Sequence, residues 1–280
     1  MAIKDYIELM IPYHFPISLS GFLAGYFILS ANASPANLII SAFVVSVLLV
    51  GAFNSFNGVF DKDIDMINKS YRPIPSGKIS QESALYFSLF LYLLAVLSSL
   101  LINTDFLLLV LLNLLLITLY SIPKIRLKDR FLLSNLTVST QYGIFPILFS
   151  YTLSPAKILP LELLAFTFML AFSTSATKDF QDYIGDRAFN VNTLPVVLGP
   201  IRFSNIVSVF LLIPYMYILL MSFFGVFKLA AILSCSLLIF AIKIGNDLRE
   251  NPNDRYGLVI KKSVLLYIST LLIITILFSV

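Results

Sequence analysis

Long apolar runs broken by short polar clusters dominate the chain. A helix that crosses a bilayer needs about 20 mostly apolar residues. Nine stretches meet that length, roughly 9–30, 36–60, 82–102, 105–122, 131–151, 158–179, 201–224, 227–246 and 258–280. Lipid admits only helices or closed barrels, and runs such as "FLLLVLLNLLLITLY" lack the period-two alternation of barrel strands. The pattern therefore predicts an all-α, polytopic membrane protein of nine transmembrane helices, with residues 1–280 forming one domain.

Composition agrees. Hydrophobic residues make up 59% of the chain and charged residues only 12%, and mean hydropathy is +0.93, far outside soluble globular usage. The start, "MAIKDYIELMIPYHFP", has acidic residues and prolines where a signal peptide has a basic segment and a clean apolar core, so it reads as a retained first helix. Lone Cys235 excludes an internal disulfide.

Charge sets the expected topology. If the segment after the second span faces the cytoplasm, all of the 19 Lys and Arg except Lys157 and Lys228 fall in inward segments. The positive-inside rule then predicts a multi-pass protein of the cell membrane with a cytoplasmic N-terminus and an external C-terminus. This asymmetry accounts for the basic pI, so no nucleic-acid partner is implied, and no obligatory protein partner is evident.

One polar cluster, "NGVFDKDIDMINKSYRPIPSGKIS" (57–80), stands out at the end of the second span. Asn57, Asp61 and Asp65 are four apart and share one helix face, while Asp63 points away. Asp182 and Asp186 repeat that spacing just past the sixth span, with Asp179 beside them. Four spans separate the clusters, which predicts two parallel repeats, about 9–122 and 131–246, followed by a final helix at 258–280, with both clusters on the cytoplasmic side.

Like charges at i, i+4 repel. Two such faces opposed across a cavity call for a divalent cation, and hard oxygen donors suit magnesium, which fills its remaining positions with water and substrate phosphates. Carboxylates, magnesium and nearby Arg and Lys together make a diphosphate clamp. In "KIRLKDR", Arg126, Lys128 and Arg130 read as topology signals. His14, between Pro12 and Pro16, reads as a polar group satisfied at a kink, and Gly21 with Gly25 as a site of close helix packing. A P-loop, a zinc-type Cys/His cluster and a G-x-S-x-G elbow are all missing from the sequence.

The first cluster resembles the N-x-x-x-D-x-x-x-D and R-P-[IL]-x-x-G motif of the intramembrane prenyltransferases of the UbiA superfamily. "KDFQDYIGDRAFNVNTLPVVLG" is similar to their D-x-x-D-x-x-G-D followed by T-L-P, and "YSIPKIRLKDRFLLSN" to their Tyr-x-x-x-Lys loop. The resemblance implies a nine-helix bundle around a central cavity and Mg²⁺-dependent transfer of a prenyl group from a polyprenyl diphosphate to a lipid-phase acceptor. It gives Asn57, Asp61 and Asp65 to one magnesium, and Asp179, Asp182 and Asp186 to another. Arg72, Lys124 and Lys178 would neutralise the diphosphate, and Tyr120 would donate to one of its oxygens. The sequence departs from the pattern at Gly58, where many members carry aspartate, at "MIPYHFP", which lacks a first-helix arginine, and at Asn190 and Asn192.

"YRPIPSG", "GDRA" and "TLP" are most similar to members that ether-link a second geranylgeranyl chain to geranylgeranylglyceryl phosphate in archaeal membrane lipid synthesis. An aromatic or chlorophyll-type acceptor is the alternative, and a carrier of cations or lipids is the alternative of another class.

Overall fold

The computed structural model describes residues 2–156, 158–227, 229–251 and 258–279, so Lys157, Lys228 and Arg255 of the charge pattern lie outside the described residues. Among them every regular element is a helix. In order come α1 (Ile3–Leu9), α2 (Phe15–Ile28), α3 (Pro35–Phe43), α4 (Leu49–Phe60), α5 (Lys62–Asn68), α6 (Gln81–Ser99), α7 (Thr104–Ser121), α8 (Leu133–Ser139) and α9 (Phe145–Tyr151). There follow α10 (Leu161–Ser175), α11 (Asp179–Ala188), α12 (Leu194–Leu198), α13 (Pro200–Phe210), α14 (Ile213–Phe223), α15 (Leu238–Glu250) and α16 (Leu258–Ser279).

Among the described residues, five helical runs are long and apolar enough to cross a membrane: Pro35–Phe60, Gln81–Ser99, Thr104–Ser121, Pro200–Phe223 and Leu258–Leu277. The other four expected spans coincide with helices that are shorter or interrupted. Here α2 has 14 residues, α10 has 15 and α15 has 13, while a π turn at Thr140–Ile144 separates α8 from α9.

Helix starts follow local chemistry. The orphan amides of a first turn need acceptors, and Ser34, Ser80 and Asn103 supply them to Asn37, Ser83 and Phe106. Between apolar helices, small residues let backbones approach. A Cβ at Gly21 would lie 3.0 Å from Pro146 Cβ, and one at Gly25 would lie 2.9 Å from Ser150 Cβ, which seats α2 against α9. Phe22, Phe106, Phe149 and Phe166 are fully buried in the largest apolar cluster, and a second cluster around Phe203 and Tyr215 joins α13, α14, α15 and α16. These clusters fix the helices whose ends carry the aspartates.

Candidate active site

The first aspartate face survives a break in its helix. Asp61 separates α4 from α5 with φ −103°. The amides of Asp61, Asp65 and Lys69 nevertheless bond the carbonyls of Asn57, Asp61 and Asp65 at 3.1, 2.8 and 2.7 Å. The four-residue register is kept, so Asn57, Asp61, Asp65 and Lys69 face one cavity. Asp63 is exposed.

The second face rests on α11, which continues from α10 through a 3₁₀ turn at Ala176–Lys178. Its Asp179, Asp182 and Asp186 line that same cavity. Asn68 joins the two segments: its Nδ2 donates to the Asp182 carbonyl at 2.9 Å, and its Oδ1 accepts from the Gly185 amide at 2.8 Å. A Cβ at Gly185 would stand 2.5 Å from Asn68 Nδ2, so a larger residue there would displace the Asn68 amide.

Every carboxylate in the cavity has a partner. Asp61 accepts from Lys128, and from Arg126 at 3.2 Å. Asp65 accepts from Arg72 at 2.7 Å, and Asp182 from Lys69. Asp179 accepts from Asn135 Nδ2 at 3.0 Å and Asp186 from Thr193 Oγ1 at 3.1 Å. Lys178 and Tyr120 complete the wall, with the Tyr120 hydroxyl 3.4 Å from Ser134 Oγ. Five carboxylates and the cations Lys69, Arg72, Lys128 and Lys178 line the cavity, leaving its net charge near zero.

These pairings perturb the ionisable groups outside the spans. Burial pulls the Lys69 ammonium down against the pull of Asp182. Burial also opposes the charge on Arg72, but Asp65 and Asp182 outweigh it and hold the guanidinium more basic than usual. Burial would raise Asp182, yet Lys69 and Lys178 overrule it and keep the carboxyl below its ordinary range. Asp186 is pushed up to about 8, by burial first and then by Asp182 and Asp179.

Nine of the ten residues expected from the sequence line the cavity; Lys124 does not. It is exposed at φ +78°, at the start of a loop in which Arg126 (φ +40°) and Leu132 (φ +66°) are also left-handed. Such backbone is rare for residues other than glycine, and it turns the loop so that Lys128 is buried against Asp61. The reading of Arg126 and Lys128 as topology signals alone is thereby corrected, because both bond Asp61. Lys69 also went unnamed, although its position four after Asp65 carried the signal. Gly58 lies off the aspartate face: a Cβ there would point to Ile74 Cδ1 and Leu9 Cδ1, both at 3.6 Å. Asn190 adopts φ +55°, a left-handed conformation that asparagine tolerates better than most residues.

Beside this cavity lies an apolar passage lined by Ile17, Val138, Tyr142, Ala171, Ile260, Val264 and Tyr267. The polar cavity and the passage share His14, Val138, Tyr142 and Lys178.

The model of the UbiA prenyltransferase family matches residues 18–277. The chain belongs to that family. UbiA proteins are integral membrane prenyltransferases, so the chain is a membrane enzyme and the carrier alternative is set aside. Among curated relatives, the digeranylgeranylglyceryl phosphate synthase of Methanococcus maripaludis is 31% identical over 268 residues, covering 91% of this chain and 90% of that one. The synthase of the same name from Methanococcoides burtonii is 32% identical over 216 residues, 74% of this chain and 76% of the relative. A UbiA homologue from Archaeoglobus fulgidus, solved with GPP and Mg²⁺, shares the fold at TM-score 0.73 and 18% identity, covering 99% of this chain and 100% of that one. A structure of digeranylgeranylglyceryl phosphate synthase aligns at TM-score 0.67 and 24% identity, over 99% of this chain and 97% of that one.

Proposed function

We propose that this UbiA enzyme transfers the geranylgeranyl group of geranylgeranyl diphosphate to geranylgeranylglyceryl phosphate, forming an ether and releasing diphosphate at the cytoplasmic face of a nine-span bundle built from two parallel repeats. The observation that carries the reading is the convergence of both aspartate faces and four cations on one cavity that adjoins an apolar passage. The match over 91% of the chain to a relative that bears this synthase's name supports the choice of acceptor.

The donor set fits magnesium. Asn57 and the five aspartates offer hard oxygens. No three His, Cys, Asp or Glu side chains converge on one point among the described residues. Each ion would therefore take one or two carboxylates and complete its shell from water and diphosphate oxygens, as magnesium does. Asp61 and Asp65, with the Asn57 amide oxygen, would hold one ion, and Asp182 and Asp186 the other, with Asp179 beside them acting through a bound water. Bound there, magnesium supplies Lewis acidity toward the leaving diphosphate.

The chain's own residues do the rest. Arg72, Lys69, Lys128 and Lys178 are held around the cavity and stabilise negative charge as it gathers on the departing diphosphate, with the Tyr120 hydroxyl as a neutral donor. Ion pairs with aspartates keep Arg72, Lys69 and Lys128 in place beforehand. In a buried site each such contact is stronger than in water. The apolar passage takes the part of the prenyl chain nearest the diphosphate and keeps from it the water that would otherwise capture the allylic cation.

Purified protein given geranylgeranyl diphosphate, geranylgeranylglyceryl phosphate and Mg²⁺ should release diphosphate and yield the digeranylgeranyl ether by mass spectrometry. Both signals should vanish with EDTA and in Asp61→Asn or Asp182→Asn. Faster turnover on an aromatic or chlorophyll-type acceptor would overturn the choice of acceptor.

A further inference from the structure

His14 is the chain's one histidine, and its ring is oriented by a chain of fixed hydrogen bonds. Asn54 Nδ2 donates to the Met10 carbonyl at 2.9 Å, an oxygen that can only accept. That sets the Asn54 amide, so its Oδ1 faces His14 Nδ1 at 3.3 Å. An amide oxygen accepts but never donates, so this contact is a hydrogen bond in the tautomer that carries its proton on Nδ1. The Tyr142 hydroxyl lies 3.3 Å from the same nitrogen. In that tautomer Nε2 bears a bare lone pair, and no hydrogen bond among the described residues engages it.

The place of this lone pair gives it meaning. His14 borders both the polar cavity and the apolar passage, in company with Val138, Tyr142 and Lys178 alone. An allylic diphosphate with its charged end among the cations and its chain in the passage has its reacting carbon at this junction. Val138 has no proton acceptor, the Lys178 ammonium has no lone pair, and the Tyr142 phenol would first have to lose its own proton. We infer that His14 is a catalytic residue whose Nε2 takes the proton of the acceptor hydroxyl as that oxygen bonds to the allylic carbon.

This inference rests on the prenyl-transfer reading above. The allylic carbon–oxygen bond breaks, and its electron pair leaves with diphosphate. A lone pair of the acceptor oxygen forms the new carbon–oxygen bond. The O–H pair stays on the ether oxygen while the proton passes to Nε2, and the imidazolium then gives it to released diphosphate or water. A modest base suffices, because the hydroxyl becomes a strong acid as its oxygen is alkylated.

His14→Gln and His14→Ala are assayed with geranylgeranyl diphosphate, geranylgeranylglyceryl phosphate and Mg²⁺, following diphosphate release and ether formation separately. Ether formation should fall about 100-fold, the usual scale for a lost general base. Diphosphate release should fall far less, the difference appearing as geranylgeraniol from capture by water, and added imidazole should restore ether formation in His14→Ala. Parallel loss of both signals without imidazole rescue, or loss of the thermal protection given by geranylgeranyl diphosphate in both variants, would make His14 structural and overturn the inference. An unchanged ratio of ether to diphosphate would overturn it too. Wild-type protein that releases no diphosphate would remove the prenyl-transfer reading and this inference together.

Discussion

Lys69, at the end of the first aspartate segment, forms an ion pair with Asp182 of the second, across 113 residues of sequence. Both side chains are nearly buried, at 7% and 13% exposure. Removing one partner of such a pair strands a charge and costs about 3–5 kcal/mol, whereas removing both is far milder. Lys69→Ala should therefore lower the melting temperature more than Lys69→Ala/Asp182→Asn, while both remain inactive. Additive losses in a double-mutant cycle would show that the two residues do not couple.

Gly185 and Asn68 make a second contact between the same segments, and it leaves no room for a methyl group. Gly185→Ala should force the Asn68 amide away and break both of its hydrogen bonds, an overpacking effect of about 1–3 kcal/mol. Thermal unfolding in detergent should show the loss, with diphosphate release reduced at temperatures where the variant remains folded.

Lys128 and Lys124 are separated by one turn of loop and differ in fate. Lys128→Gln should lower kcat/KM for the prenyl diphosphate at least about tenfold, the scale of one charge-assisted contact. Lys124→Gln, at an exposed position, should stay within about twofold of wild type. The opposite ranking would mean that the loop rearranges when substrate binds.

Asp186 gives a pH dependence of defined sign. Its carboxyl, held at about 8 in the folded protein against an ordinary 3.8, binds its proton more tightly folded than unfolded. Stability of the magnesium-free protein should therefore fall as pH rises from about 4 to about 8. Melting temperatures across that window should flatten in Asp186→Asn, and an unchanged slope would contradict the assignment.

The amino-acid sequence alone determined the helical, membrane-embedded class, because a bilayer tolerates few ways of satisfying the backbone and apolar run length registers them directly. It also determined the aspartate faces, since a four-residue spacing survives even the helix break at Asp61. The partners of those faces were decided by tertiary structure. Nothing local distinguishes Lys128, buried on Asp61, from exposed Lys124; the difference lies in left-handed backbone at Lys124, Arg126 and Leu132. Nor does local spacing reveal that Lys69 meets Asp182, or that Asn54, 40 residues away, lies against the His14 ring. Periodicity is a property of neighbours along the chain, whereas charge compensation in a cavity depends on which distant elements packing brings to face it.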